Sequence, residues 1–288
     1  MSSADQMRGK VCLVTGATSG LGRATAVALA SAGADVLIVG RDRQRGDAVR
    51  SELAEVDAAT RSELLLCDLA SQRQVRELAA TLCKRLNRLD VLVNNAGVDV
   101  GKRQQTEDGF ELTFAVNHLA AFTLTLLLAE ALKASREGRV VTVTSGAHNA
   151  GKIVFDDLQG ERRFSGQRAY NQSKLANVLF TLELARRLEG THVAANCVDP
   201  GWVKGTGLGR TASIGLKALA LIMWPTMVSP ERGADTIVWA ATAPELAGQS
   251  GKLFKKRKAI EPASGALEVE TARRLWEESA RLTGVSLG

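Results

Sequence analysis

From residue 10 onward, short, mostly apolar runs alternate with helix-length segments, and few folds accommodate that alternation. The runs at 11–14, 36–39, 64–67, 90–93, 140–144, 193–198 and 252–254 are each of strand length. A strand with one wet face reads apolar and polar in turn, whereas these read mostly apolar with no such alternation, so both of their faces are expected to be buried. The segments between them have the length and periodicity of helices: an Ala-rich one ending at Gly33, then 44–56, 71–86, 106–134, the helix of Tyr170, and 267–282.

Buried parallel strands joined by right-handed helical crossovers build a Rossmann-type α/β fold. We therefore expect a doubly wound parallel sheet of about seven strands with helices on both faces. No linker rich in Pro, Gly or Ser and no internal repeat interrupts the chain, so its 288 residues read as one domain. Ligands of such sheets bind beyond the carboxyl ends of the strands. The polar motifs of this chain cluster at those ends.

Between the first run and the first helix stands Thr15-Gly16-Ala-Thr-Ser19-Gly20-Leu21-Gly22. Glycines here permit a tight turn and let the backbone approach a pyrophosphate at the positive helix N-terminus. The second run ends at Val39-Gly40-Arg41. An acid about 20 residues after the glycine turn binds the ribose 2′-hydroxyl in NAD enzymes. Gly40 occupies that place and Arg41 follows, which suits the 2′-phosphate of NADP. A register slip of two would make Asp42 the ribose acid instead. Asp68-Leu69 ends the third run, either as an adenine contact or, with Ser71, as the cap of the next helix.

The catalytic candidates centre on Tyr170-Asn-Gln-Ser-Lys174, where the spacing of four places phenol and ammonium on one helix face. Tyr170 is the single tyrosine of the chain. A free phenol, with a pKa of about 10, is a poor base at neutral pH. Lowering it by ~3 units requires ~4 kcal/mol, within reach of a buried lysine plus a cationic cofactor. Ser145 follows a strand end. Asn117 lies amid the apolar residues 114–128, where a polar group needs a bonded role.

Taken in order, residues 15–22, Asn94-Asn-Ala96-Gly97, Asn117, Ser145, Tyr170-x-x-x-Lys174 and Pro200-Gly201 resemble the short-chain dehydrogenase/reductase family over about residues 9–254. Segments 151–159 and 170–182, with Ala272-Arg-Arg-Leu-Trp276, are most similar to its retinol-dehydrogenase-like branch. The resemblance implies that Ser145 holds the substrate oxygen and Tyr170 passes it a proton. It implies that Lys174 bonds the nicotinamide ribose and depresses the Tyr170 pKa, while Asn117 holds a water in a proton relay. Gly16, Ser19, Gly20, Leu21, Arg41, Asp68, Leu69, Asn94, Ala96, Gly97, Tyr170, Lys174, Pro200, Gly201 and Val203 are the implied cofactor contacts. The implied enzyme is an NADP(H)-dependent oxidoreductase interconverting a carbonyl and an alcohol on an apolar small molecule. It would be a monomer or homodimer, with a substrate lid near 204–228.

Two departures stand out. The stretch between Ser145 and Tyr170 is longer than in compact members, with an insertion that bears on the helix face many use to oligomerise. Gly205 stands where the family's phosphate-contacting threonine is expected, and Thr206 follows. A catalytically silent NADP-binding protein is the competing class, against which the intact set of four catalytic residues argues. A light-driven tetrapyrrole reductase is the competing enzyme. It is expected to carry a cysteine near the site, and none lies between Ser145 and Lys174.

Composition narrows the rest. The formal charge of +6 invites a nucleic-acid reading, but aromatics are only 4% and no basic run is interleaved with them, so stacking on bases is not expected. The densest basic run, Lys255-Lys256-Arg257-Lys258, reads as a solvated loop or helix approach. The four cysteines are widely spaced and match no metal pattern; three lie in apolar runs, as in a reducing cytoplasm. The short polar segment 1–10 reads as neither signal nor anchor, and no apolar stretch is long enough to span a bilayer.

Overall fold

The computed structural model describes residues 6–204, 227–266 and 268–287. The expected lid near 204–228 thus lies, but for its ends, outside the described residues. Eight strands, β1 (Val11–Thr15), β2 (Asp35–Gly40), β3 (Ser62–Leu66), β4 (Val91–Asn94), β5 (Gly138–Val143), β6 (Val193–Val198), β7 (Leu253–Lys255) and β8 (Lys258–Ile260), form one sheet in the order β3-β2-β1-β4-β5-β6-β7-β8. All neighbours pair in parallel except β7 and β8.

The mostly apolar strands have their explanation in the two cores. Leu13, Leu37 and Val39 face one, while Cys12, Val14, Val36 and Ile38 face the other, so alternate residues fill opposite sides. The first core is closed by α3 (Gln72–Arg85), α5 (Ala120–Leu127) and α7 (Gly166–Arg187), through Val75, Leu82, Leu124 and Phe180. The second is closed by α1 (Gly20–Ser31), α2 (Arg43–Val56) and α8 (Pro230–Thr242), through Leu29, Leu53 and Ile237. A last helix, α9 (Val269–Thr283), buries Leu275 and Trp276.

Four local features differ from the sequence reading. The expected helix over 106–134 begins only at α4 (Leu112–Phe114), because Thr106 and Phe110 close a turn through Gly109 (φ 85°) and Glu111 caps the Thr113 and Phe114 amides with both oxygens. It then widens into a π-helical turn, Ala115–Leu119, before α5, and α6 (Ala129–Lys133) ends it. The basic run 255–258 is no loose loop but the turn of the β7–β8 hairpin, with Lys256 and Arg257 both left-handed (φ 50° and 57°), as a type I′ turn demands. Helix α8 was not expected at all, although Ser229-Pro230-Glu231 is a helix start and Ser229 caps the Arg232 amide. Among the described residues, no helix is long and apolar enough to cross a membrane, and no group of three or more His, Cys, Asp or Glu is placed to hold a metal ion.

Candidate active site

The sheet order turns where β1 meets β4, and the loops leaving the carboxyl ends of β1, β2, β4, β5 and β6 gather there. After β1 the chain turns through Gly16 (φ 65°) and Gly20 (φ 52°), a region costly for other residues. Side chains are excluded by space as well. A Cβ on Gly16 would lie 2.9 Å from the Ala96 Cα, and one on Gly22 would lie 2.3 Å from the Gly16 oxygen. Ser19 is the N-cap of α1 but makes no side-chain capping bond, and no acid sits in the first turn. By contrast, Asp42, Ser71 and Ser229 cap α2, α3 and α8. The α1 terminus thus offers amides and the positive end of its dipole, which fits a dinucleotide pyrophosphate. Leu21 packs beside Val203 over α8, where a Cβ on Gly233 would fall 3.1 Å from the one and 2.6 Å from the other.

At the end of β2, a Cβ on Gly40 would meet the Thr18 methyl at 2.3 Å, so Thr18 covers the place of a ribose-binding acid. Asp42 is committed elsewhere. It accepts from the Arg45 amide at 3.0 Å and pairs with the Arg45 guanidinium at 2.8 Å. Arg41 is exposed at this strand end. Past β3, Asp68 accepts from the Ala70 amide (3.0 Å) while Ser71 caps α3, and Leu69 is buried in the first core.

Beyond β4 the loop is latched to β1. Thr15 Oγ1 accepts from the amides of Asn95 (3.0 Å) and Ala96 (3.1 Å), and the Asn95 side chain donates to the Thr15 carbonyl (2.8 Å). Asn94 is buried and donates to Thr125 Oγ1 at 2.9 Å. Asn117, in the π-helical turn, forms a two-way bond with the Val98 backbone (2.7 and 3.0 Å) and donates to Ser173 Oγ (2.9 Å). Both of its N–H groups are therefore used, and its oxygen has one lone pair to spare. The place a side chain on Gly97 would fill lies 3.4 Å from Asn117 Oδ1 and 3.5 Å from Lys174 Nζ. Its neighbour His118 is buried against Phe114 and Phe122 and bonds Ser279 Oγ at 2.8 Å; burial holds it neutral, with a pKa near 4.

Ser145, Tyr170 and Lys174 converge between β5 and α7. Tyr170 lies in the second turn of α7, with Ser145 close enough to act on its hydroxyl, and Ser145 Oγ accepts from the Ala147 amide at 3.3 Å. Lys174 is buried one turn on, with Nζ 5.6 Å from the Tyr170 ring centre and donating to the Val143 carbonyl at 3.2 Å. Without a cofactor, burial pushes the Tyr170 phenol above its ordinary value, opposed by Ser145; the expected depression draws on the cofactor's charge as well as Lys174. The same burial draws Lys174 down to about 8, so near neutral pH it still carries its charge, at a cost, beside a protonated phenol. At the end of β6, Pro200-Gly201 is held by buried Asp199, which accepts from the Gly201 amide (2.9 Å) and pairs with Lys255 Nζ (2.8 Å).

All the residues singled out in the sequence thus lie at this end of the sheet. The reading missed the residues that hold them: Thr15 and Asn95 as the latch, Asp199 under Pro200, and His148, whose ring bonds the Ser145 carbonyl. Polar residues at the ends of apolar strands were the available signal for the first three.

A family model described as short chain dehydrogenase matches residues 10–214. Mouse retinol dehydrogenase 14 is 44% identical over 97% of this chain and 87% of its own length. Mouse polyprenol dehydrogenase is 45% identical over 97% of this chain and 85% of its own. The fold is also that of a solved structure described as an NAD(P)-dependent gluconate 5-dehydrogenase of Beutenbergia cavernae, with NADP bound at low occupancy. It superposes with a TM-score of 0.69 at 30% identity, covering 87% of this chain and 96% of the other.

Proposed function

Because the chain belongs to the short-chain dehydrogenase family, we propose that it is an NADP(H)-dependent oxidoreductase interconverting a carbonyl and an alcohol on an apolar small molecule. The observation that carries this is the meeting of three groups from two elements: the Ser145 hydroxyl just past β5, the Tyr170 hydroxyl on which it acts, and the Lys174 ammonium buried one turn along α7. A cofactor bound at the α1 terminus supplies or accepts the hydride. Gly16, Ser19, Gly20 and Leu21 hold its pyrophosphate end, Arg41 its 2′-phosphate, and Asp68 and Leu69 its adenine. Asn94, Ala96, Gly97, Pro200, Gly201 and Val203 form the nicotinamide side with Tyr170 and Lys174.

In the reducing direction, the Ser145 hydroxyl hydrogen-bonds the substrate oxygen and the Tyr170 hydroxyl gives it a proton. A neutral, protonated phenol is the form this step requires, and burial favours it. Lys174 donates to the ribose, and Asn117 Oδ1 accepts from a relay water beside Gly97. The gluconate dehydrogenase structure, which holds NADP, supports the cofactor assignment, as do Gly40 and Arg41. The relatives named for retinol and polyprenol, both long apolar alcohols, support the substrate class. One sheet takes in every strand among the described residues, which supports a single domain; the lid near 204–228 rests on the family resemblance alone.

The test is a screen of ketones, aldehydes and alcohols that follows NADPH absorbance in both directions. Turnover of long apolar substrates, with NADPH preferred over NADH, is expected. NADPH binding with no turnover of any of them would instead make the chain a silent binding protein.

A further inference from the structure

His148 has no part in the chemistry above, yet it is built into the site. The turn Gly146–Ala150 leaves β5 at Ser145, and the Ser145 carbonyl accepts twice from His148: from its backbone amide at 3.0 Å and from its ring Nδ1 at 2.6 Å. A carbonyl only accepts, so Nδ1 carries the proton and, in the neutral ring, Nε2 carries the lone pair. The ring is 1% exposed, and Nε2 has no hydrogen-bond partner among the described residues. An apolar side chain of similar size would fill the space without that unsatisfied atom. The other end of the turn is wedged against α7, where a Cβ on Gly151 would lie 2.6 Å from the Asn171 oxygen. His148 locks the near end, which carries the serine.

We propose that His148 is a positioning residue for Ser145: its Nδ1–H fixes the turn so that the serine hydroxyl meets that of Tyr170 and the substrate oxygen. This rests on the roles given above to Ser145 and Tyr170. Asparagine places an N–H where Nδ1 stands, glutamine only where Nε2 stands, and leucine none. His148→Asn should therefore preserve the geometry, while His148→Leu and His148→Gln lose it. The second of these keeps the comparison open if leucine does not fold.

Two readouts decide it. With isotope-labelled tyrosine the protein gives one tyrosine NMR signal, since Tyr170 is the single tyrosine. Loss of the Ser145 hydroxyl in Ser145→Ala sets the direction in which that signal moves. His148→Leu or His148→Gln should move it the same way, and His148→Asn should leave it in place. At saturating NADPH and substrate, kcat should fall at least about tenfold in the Leu or Gln variant with the KM for NADPH little changed, and His148→Asn should stay within about threefold of wild type. A signal that stays put in the Leu and Gln variants, or that moves equally in all three, overturns the proposal. The NMR comparison needs no turnover, so an inactive wild type would overturn the functional reading alone.

Discussion

Lys174→Met should make the protein more stable near neutral pH while abolishing its activity. In the native state, burial lowers the Lys174 pKa from 10.5 to about 8. Between those values the unfolded chain holds a proton that the native one has released, so stability rises with pH across that window. Below about pH 8 the whole penalty weighs against the fold. A shift of this size is worth about 3 kcal/mol at pH 7, about 2 at pH 9 and less than about 1 at pH 10. Methionine fills a similar volume with no charge to bury. It gives up the bond from Nζ to the Val143 carbonyl, long at 3.2 Å. Setting about 1 kcal/mol against that bond leaves a net gain of about 2 kcal/mol at pH 7, fading as the pH rises. Urea unfolding of both chains from about pH 6 to 10 measures it as a difference. The subtraction matters, because burial also raises the pKa of Cys12, Cys67, Cys197 and Tyr170. Those groups keep their protons longer in the native state, so each lowers stability as the pH climbs past its unfolded pKa, alike in both chains except for Cys197, whose thiol the Lys174 charge itself draws down. A Met variant less stable than wild type at pH 7, or a gain independent of pH, would refute the burial argument.

Tyr170→Phe should leave the fold and NADPH binding intact while turnover drops. More than about a tenth of wild-type kcat remaining, a loss under ~1.4 kcal/mol, would remove Tyr170 from the proton step. Arg41→Ala should weaken NADPH binding about tenfold or more, the loss of a charge-assisted contact worth ~1.5–3 kcal/mol, and leave NADH little changed; equal weakening of both, by titration, would mean Arg41 only supports the fold. Gly40→Asp should not by itself create an NADH enzyme, because its Cβ would collide with the Thr18 methyl. Paired with Thr18→Gly it should raise NADH affinity at least about tenfold over the single variant, and calorimetric titration showing no difference would discount the Thr18 cover.

Much of this was legible in the sequence because it is local. An apolar run such as 193–198 can only be a strand buried on both faces, and the order of strands and helices then leaves one family of topologies. Gly16, Gly20 and Gly22 were readable for the same reason: the turn before a helix admits few residues. The spacing of Tyr170 and Lys174 fixed their shared face through helix geometry alone.

What the sequence left open depends on partners distant along the chain. Lys256 and Arg257 carry none of the Asn-Gly chemistry of a tight hairpin. Their left-handed backbone is held from outside, where the Arg257 amide bonds Thr236 and its guanidinium pairs with Asp235 of α8. Asn117 as a clamp on Val98 could not be read from an apolar helix, because its partner lies 19 residues away and the π-helical turn that carries it leaves no mark in the apolar pattern. The direction of the Tyr170 shift in the cofactor-free protein is of the same kind. Spacing placed a cation near the phenol, but whether attraction or desolvation wins depends on how much water the fold excludes from both. Sequence set which groups meet on one face of a helix; only the tertiary structure decided how dry that face is, and dryness governs the proton.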